Sequence, residues 1–160
     1  MRVTVDASVW VASQLSGDAH HAQATRFIES CLALRIIVIV PELVLLEVAA
    51  AVARLTQDAG PGQIAARKLE RFPRVQFRTL ERRSLERAIL LATRHRLRGA
   101  DAIYVATARE ARATLVTLDE EMLQRGAAAV ATVSPETWLK QTASTRSTAA
   151  KQEGTGPLAE

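Results

Sequence analysis

Apolar positions along the chain alternate between short β-branched runs and longer stretches with helical spacing. Arg2 to Val5 is a short β-prone run, and Ile36-Ile37-Val38-Ile39-Val40 is a continuous one ended by Pro41. A run without polar alternation predicts a strand buried on both faces, and therefore helices above and below it. Val75 to Leu80, Thr114 to Leu118 and Val130 to Val133 complete the predicted strands. Between them, Ser8 to Leu15, with Ser8 as its cap, and Ala19 to Leu34, with Ala22, Phe27, Ile28 and Cys31 at helical spacing, predict helices. Further helices are predicted over Glu42 to Gln57, Gln63 to Phe72, Arg82 to Leu97, Asp101 to Ala111 and Glu120 to Arg125, with a closing helical turn over Pro135 to Gln141. Ser16-Gly17-Asp18 and Asp58-Ala59-Gly60-Pro61-Gly62 read as breaks, and Gly99 reads as the end of the helix before it.

This order, strands separated by helices, predicts an α/β class with a mostly parallel central sheet of about five strands. The 160 residues fit one domain, expected over residues 1–141. From Thr142 to Glu160 the chain is Ser, Thr, Ala, Gly and Lys with almost no apolar bulk, and is expected to be a disordered tail. The low aromatic share, 4% against 48% hydrophobic residues, means a core built from Ala, Val, Leu and Ile.

Charge and cysteine usage narrow the classes. With 21 Lys and Arg against 17 Asp and Glu, the net charge of +4 makes an anionic partner plausible without identifying it. Cys31 is the only cysteine, so neither an intramolecular disulfide nor a thiolate-rich metal site is available, and a reducing cytosol is the natural setting. No secretory signal is visible, and the longest aliphatic run is too short to cross a bilayer. A soluble, cytoplasmic protein is expected.

Three of the five aspartates, Asp6, Asp101 and Asp119, stand where a predicted strand ends or a helix begins. In open α/β sheets the functional crevice lies beyond the carboxyl ends of the strands, so the three converge on one region. Each alone reads equally as a helix cap. Glu47 is the only charged residue between Leu43 and Ala53. A helix apolar all round is normally buried, and a carboxylate inside it needs a partner or a bound cation. Arg54 lies two turns away, beyond the usual pairing distance. Four acids without a His and Cys cluster suit Mg²⁺ or Mn²⁺ rather than zinc. Such an ion beside a phosphodiester activates a water for attack, so no side-chain nucleophile is required. The chain offers no convincing Ser-His-Asp set, no Walker loop and no Gly-x-Gly-x-x-Gly.

The segments Val5-Asp6-Ala7-Ser8-Val9-Trp10, Pro41 to Glu47, Gly99-Ala100-Asp101-Ala102-Ile103-Tyr104-Val105-Ala106-Thr107-Ala108 and Leu115-Val116-Thr117-Leu118-Asp119 resemble, in order, the four motifs of the PIN-domain family. Within that family the chain is most similar to the VapC-like ribonuclease toxins of toxin-antitoxin pairs. The resemblance implies a compact three-layer α/β/α fold, Mg²⁺- or Mn²⁺-dependent cleavage of RNA, a homodimer, and inhibition by a small antitoxin. It assigns Asp6, Glu47, Asp101 and Asp119 to the acidic cluster, with Asp6 and Asp101 as the foremost metal ligands, and Ser8 and Thr117 to supporting hydroxyls. Glu120 and Glu121, directly after Asp119, depart mildly from the pattern, as an added ligand or as favourable charge at a helix start.

Arg94, His95, Arg96 and Arg98, just upstream of Asp101, are candidates for holding RNA phosphates, against a plain solvated helix end. Trp10 is a candidate for stacking a base, against a core or dimer position. Arg67, Lys68 and Arg71 mark a basic helix face, either for a partner or simply exposed; His20 and His21 read as surface residues. Three other functions compete: a non-catalytic PIN-like scaffold binding RNA or protein, a housekeeping RNA-processing nuclease, and a phosphoryl-transfer receiver or phosphatase. The last needs a Lys partner, and Lys68, Lys140 and Lys151 all lie away from predicted strand ends.

Overall fold

The computed structural model describes residues 1–153. Five strands, β1 (Arg2–Val5), β2 (Ile37–Pro41), β3 (Val75–Arg78), β4 (Thr114–Val116) and β5 (Thr132–Val133), form one sheet in the order β3-β2-β1-β4-β5. Every neighbouring pair is parallel, so the expected mostly parallel sheet is wholly so. Val3, Thr4 and Val5 are all fully buried although successive strand residues face opposite ways, which requires cover on both faces. That cover comes from eight helices among the described residues: α1 (Ala7–Gln14), α2 (His21–Ala33), α3 (Leu43–Thr56), α4 (Ala59–Glu70), α5 (Arg82–His95), α6 (Gly99–Ala111), α7 (Glu120–Arg125) and α8 (Pro135–Glu153). No described helix is long and apolar enough to cross a membrane.

The chain leaves β1 for β2 on one side, and β4 later returns to β1's other side. The carboxyl ends of β1 and β4 therefore meet where the winding reverses, the place where open α/β sheets leave a crevice. Core packing surrounds these ends. Trp10 is 2% exposed and meets the Phe72 ring edge-on at 5.2 Å, so it is a core residue and cannot stack a base. Phe27 meets Trp138 likewise at 4.9 Å, which ties α8 to α2.

Several boundaries differ from the sequence expectation, each for a local reason. α1 is capped by Asp6, not Ser8, because the Asp6 carboxylate accepts from the Ser8 backbone N–H. α4 starts at Ala59, inside the expected break: Asp58 caps it through the Gly60 N–H, and Pro61 falls in the first turn, where no N–H donor is needed. Gly99 does not end α5. Arg96 takes the left-handed conformation there (φ 54°, ψ 41°), and Gly99 opens α6. The greatest difference concerns the tail, since α8 runs on to Glu153. Residues 142–153 hold no Gly or Pro and include Ala, Lys, Gln and Glu, so a nucleated helix continues through them whether or not they bury anything. The rest of the expected tail, residues 154–160, lies outside the described residues.

Candidate active site

Asp6 follows β1 directly, and its backbone N–H donates to the Val116 carbonyl of β4 at 3.0 Å. Its carboxylate is 6% exposed. Oδ2 accepts from the Ser8 N–H at 3.2 Å, the Ser8 hydroxyl at 2.5 Å and the Thr117 hydroxyl at 3.0 Å. The same two hydroxyls accept in turn: Leu118 N–H donates to Ser8 Oγ at 3.1 Å, and Asp119 N–H to Thr117 Oγ1 at 3.0 Å. Ser8 and Thr117 thus clamp the end of β1 to the end of β4 through Asp6. All these bonds use Oδ2, and Asp6 itself lines the cleft.

Asp101 stands in the first turn of α6 and is 8% exposed; Asp119 caps α7, accepting from the Met122 N–H at 2.8 Å. Arg98 bridges the two, its Nε donating to Asp101 Oδ2 at 2.8 Å and a terminal nitrogen to Asp119 Oδ2 at 2.5 Å. Glu47 projects from α3 and accepts the Tyr104 hydroxyl on Oε2 at 2.5 Å. Glu47 does not lie in the all-buried helix expected from the sequence. α3 is not buried all round, because Val44, Val48 and Val52 face the core while Leu46 is 67% exposed. Glu47 lies at the margin between those faces, and its compensating donor is a phenol from α6.

The four acids do converge. Asp6, Glu47, Asp101 and Asp119 line one cleft of about 590 Å³ together with Ser8 and Arg98. Their electrostatics separate them. Burial pushes the Asp6 carboxyl above its ordinary value, against the lowering effect of the Ser8 and Thr117 hydrogen bonds, and the charge of Asp101 adds to the rise. Burial likewise raises Asp101 against Arg98, and raises Glu47 against Tyr104. For Asp119 the same desolvation is outweighed by the Met122 N–H and by Arg98, and its carboxyl is held below the usual range. Three of the four acids therefore stay charged at some cost, the condition that a bound cation relieves.

Oxygen-only donors of this kind suit Mg²⁺ or Mn²⁺. Among the described residues no three Asp, Glu, His or Cys side chains are gathered closely enough to enclose an ion. Mg²⁺ does not demand that, since it keeps several waters and is commonly bound through one or two carboxylates. The residues present fit such an ion, with Asp6 and Asp101, the two most buried acids, as its direct holders and Glu47 and Asp119 at its margins.

The basic candidates fare less well. Arg94 lines a separate cavity of about 460 Å³ with Arg87, Leu90 and Glu110, and Arg96 lines neither. Only Arg98 reaches the cleft, and it is already paired. Glu120 and Glu121 are not among the lining residues; Glu121 pairs with Arg125. Conversely, Asp18, His20 and Arg54 line the cleft and had no motif to mark them. Tyr104 is a further omission with a legible signal, because it lies three residues after Asp101 on the same helix face and a buried phenol needs a partner.

The model of the PIN domain matches residues 3–128. Among solved structures, VapC20 of Mycobacterium tuberculosis, described as a sarcin-ricin loop cleaving toxin, is similar at 24% identity and a TM-score of 0.62, over 74% of this chain and 90% of that one. VapBC2 of Rickettsia felis, bound to a DNA fragment from its promoter, is similar at 14% identity and a TM-score of 0.64, over 84% and 98%. A toxin-antitoxin complex from Klebsiella pneumoniae is similar at 18% identity and a TM-score of 0.58, over 83% and 97%. No curated protein matches the sequence. With the motif acids gathered at the β1–β4 switch point and the family model spanning most of the sequence, this chain belongs to the PIN domain family.

Proposed function

We propose that this chain is a divalent-cation-dependent endoribonuclease, the toxin of a type II toxin-antitoxin pair. The observation that carries this reading is the convergence of Asp6, Glu47, Asp101 and Asp119, from four separate elements, on one cleft at the switch point of the sheet. When bound, Mg²⁺ or Mn²⁺ supplies an activated water and neutralises charge on the phosphate. The chain's own residues do the rest. Ser8 and Thr117 fix the Asp6 carboxylate in one orientation, and their role is positioning. Tyr104 holds Glu47 at the cleft wall, where the carboxylate can accept a proton from attacking water because burial already raises its pKa. Arg54, which forms no ion pair among the described residues, gives the rim a cation for a neighbouring phosphate.

Partners follow from the same reading. An antitoxin is supported by the similar structure from Klebsiella pneumoniae, a toxin-antitoxin complex. A homodimer is supported by exposed apolar residues such as Ile89 and Leu90 on α5. The setting is cytoplasmic. The test is incubation of total RNA with the purified chain in Mg²⁺, Mn²⁺ or EDTA, with the new ends sequenced, beside Asp101→Asn. Discrete cuts that need the cation and vanish in the folded variant are expected; intact RNA under every condition would overturn the proposal in favour of a non-catalytic scaffold.

A further inference from the structure

The acidic cleft carries its own cation. A single guanidinium spans Asp101 on α6 and Asp119 on α7, with Glu121 also within 3.9 Å of its Nε. Arg98 is fixed at its backbone, and among the described residues only these ion pairs hold its guanidinium end. Its backbone sits at the N-cap of α6, just before Gly99 (φ −63°, ψ 155°) and three positions before Asp101, while its side chain is 57% exposed. An arginine in such a place cannot be silenced by deprotonation, so it leaves the carboxylates only by swinging away. Asp101 Oδ2 and Asp119 Oδ2 are both engaged by its N–H groups, and a cation approaching these carboxylates meets the positive charge of the guanidinium beside them.

We infer that Arg98 is a built-in counter-ion: a divalent cation reaches Asp101 and Asp119 by displacing its guanidinium, so that an internal arginine competes with the metal for these two carboxylates. The inference rests on the metal-binding reading above and adds the element that competes with the metal. Half-exposed ion pairs are weak, so displacement is readily reversible and shows as reduced affinity rather than as exclusion. Once displaced, the guanidinium remains at the cleft rim on its α6 tether.

The measurement is Mn²⁺ affinity by calorimetry and by loss of the free-ion paramagnetic resonance signal, with no RNA present. Wild type, Arg98→Gln and Arg98→Lys are compared with Arg82→Gln, which removes the same charge from an exposed pair with Glu86 outside the cleft. Arg98→Gln should bind Mn²⁺ roughly 3- to 30-fold more tightly than wild type. Arg98→Lys should fall between them, because one ammonium cannot fork across two carboxylates. Arg82→Gln should match wild type. Equal or weaker Mn²⁺ binding by Arg98→Gln, with wild type binding normally, would overturn the counter-ion while leaving the metal site intact. Equal tightening by Arg82→Gln would reduce the effect to net charge and overturn it too. If no variant binds Mn²⁺, the counter-ion and the metal-dependent reading fall together. Circular dichroism confirms that each exposed-site variant is folded.

Discussion

At the scale of single residues, the acids differ in what holds them. Asp6 is fixed by three hydrogen bonds on one oxygen, Asp101 and Asp119 by one shared arginine, and Glu47 by one phenol. The Tyr104 hydroxyl is the partner whose removal is cleanest. Tyr104→Phe leaves the ring in the core but takes away the hydrogen bond to Glu47, at a cost of about 1–3 kcal/mol. Because that bond lowers the Glu47 pKa, its loss should push the carboxyl further up, and cleavage should lose its alkaline-side plateau at a higher pH than in wild type. A melting curve and a pH-rate profile check both; an unchanged profile would remove Glu47 from the proton-handling role. Sequence spacing made the motif acids legible because each sits at a strand end or helix start. Tyr104 and Glu47 are 57 residues apart, and nothing local marks such a pair. Asp18, His20 and Arg54 reach the cleft only through folding, so their surface-like contexts concealed them.

At the scale of elements, α3, which carries Glu47 and Arg54 to the cleft, packs closely against α4. Gly62 permits this approach: a Cβ there would lie 2.4 Å from the Ala49 carbonyl oxygen and 2.9 Å from the Ala53 Cβ. Gly62→Ala should therefore push the helices apart and destabilise the fold by about 1–3 kcal/mol, weakening Mn²⁺ binding as Glu47 moves. Gly17→Ala, where an added Cβ would meet nothing within 4 Å, should leave both unchanged. Thermal melts of the pair decide it, and equal stability would mean that the α3–α4 contact yields without strain. All five strands were legible because β-branched runs are a local signal. Helix ends were less so. Asp58 and Arg96 set boundaries through a side-chain cap and a left-handed backbone that composition does not disclose, and a glycine beside each drew the reading away.

At the scale of the whole molecule, an acidic cleft coexists with a basic chain of net charge +4. That arrangement suits a polyanion drawn in by the overall field and a cation held at one point. Without metal the cleft should cost stability at neutral pH. The raised carboxyls of Asp6, Glu47 and Asp101 contribute stability fully below the unfolded carboxyl value, near 4, and lose it as pH rises through their folded values. Asp119, lowered, acts oppositely, and its contribution disappears only as pH falls below the ordinary range. In chelator, Tm should therefore rise as pH falls from neutrality toward the ordinary carboxyl range, and saturating Mg²⁺ should flatten that slope by taking the protons' place. A Tm that falls steadily with acidification in chelator would show that the three acids are not strained in the folded state.

The central claim is that the cleft cleaves RNA with a cation held by Asp6 and Asp101. Its most direct test is the initial rate of cutting of a single-stranded RNA against Mn²⁺ concentration, for wild type and Asp6→Asn side by side. Wild type should show saturable dependence and no cutting in EDTA, and the folded variant, which keeps an acceptor for Ser8 and Thr117, should show none at any concentration. Cleavage that persists in EDTA, or an Asp6→Asn rate equal to wild type, would contradict the account.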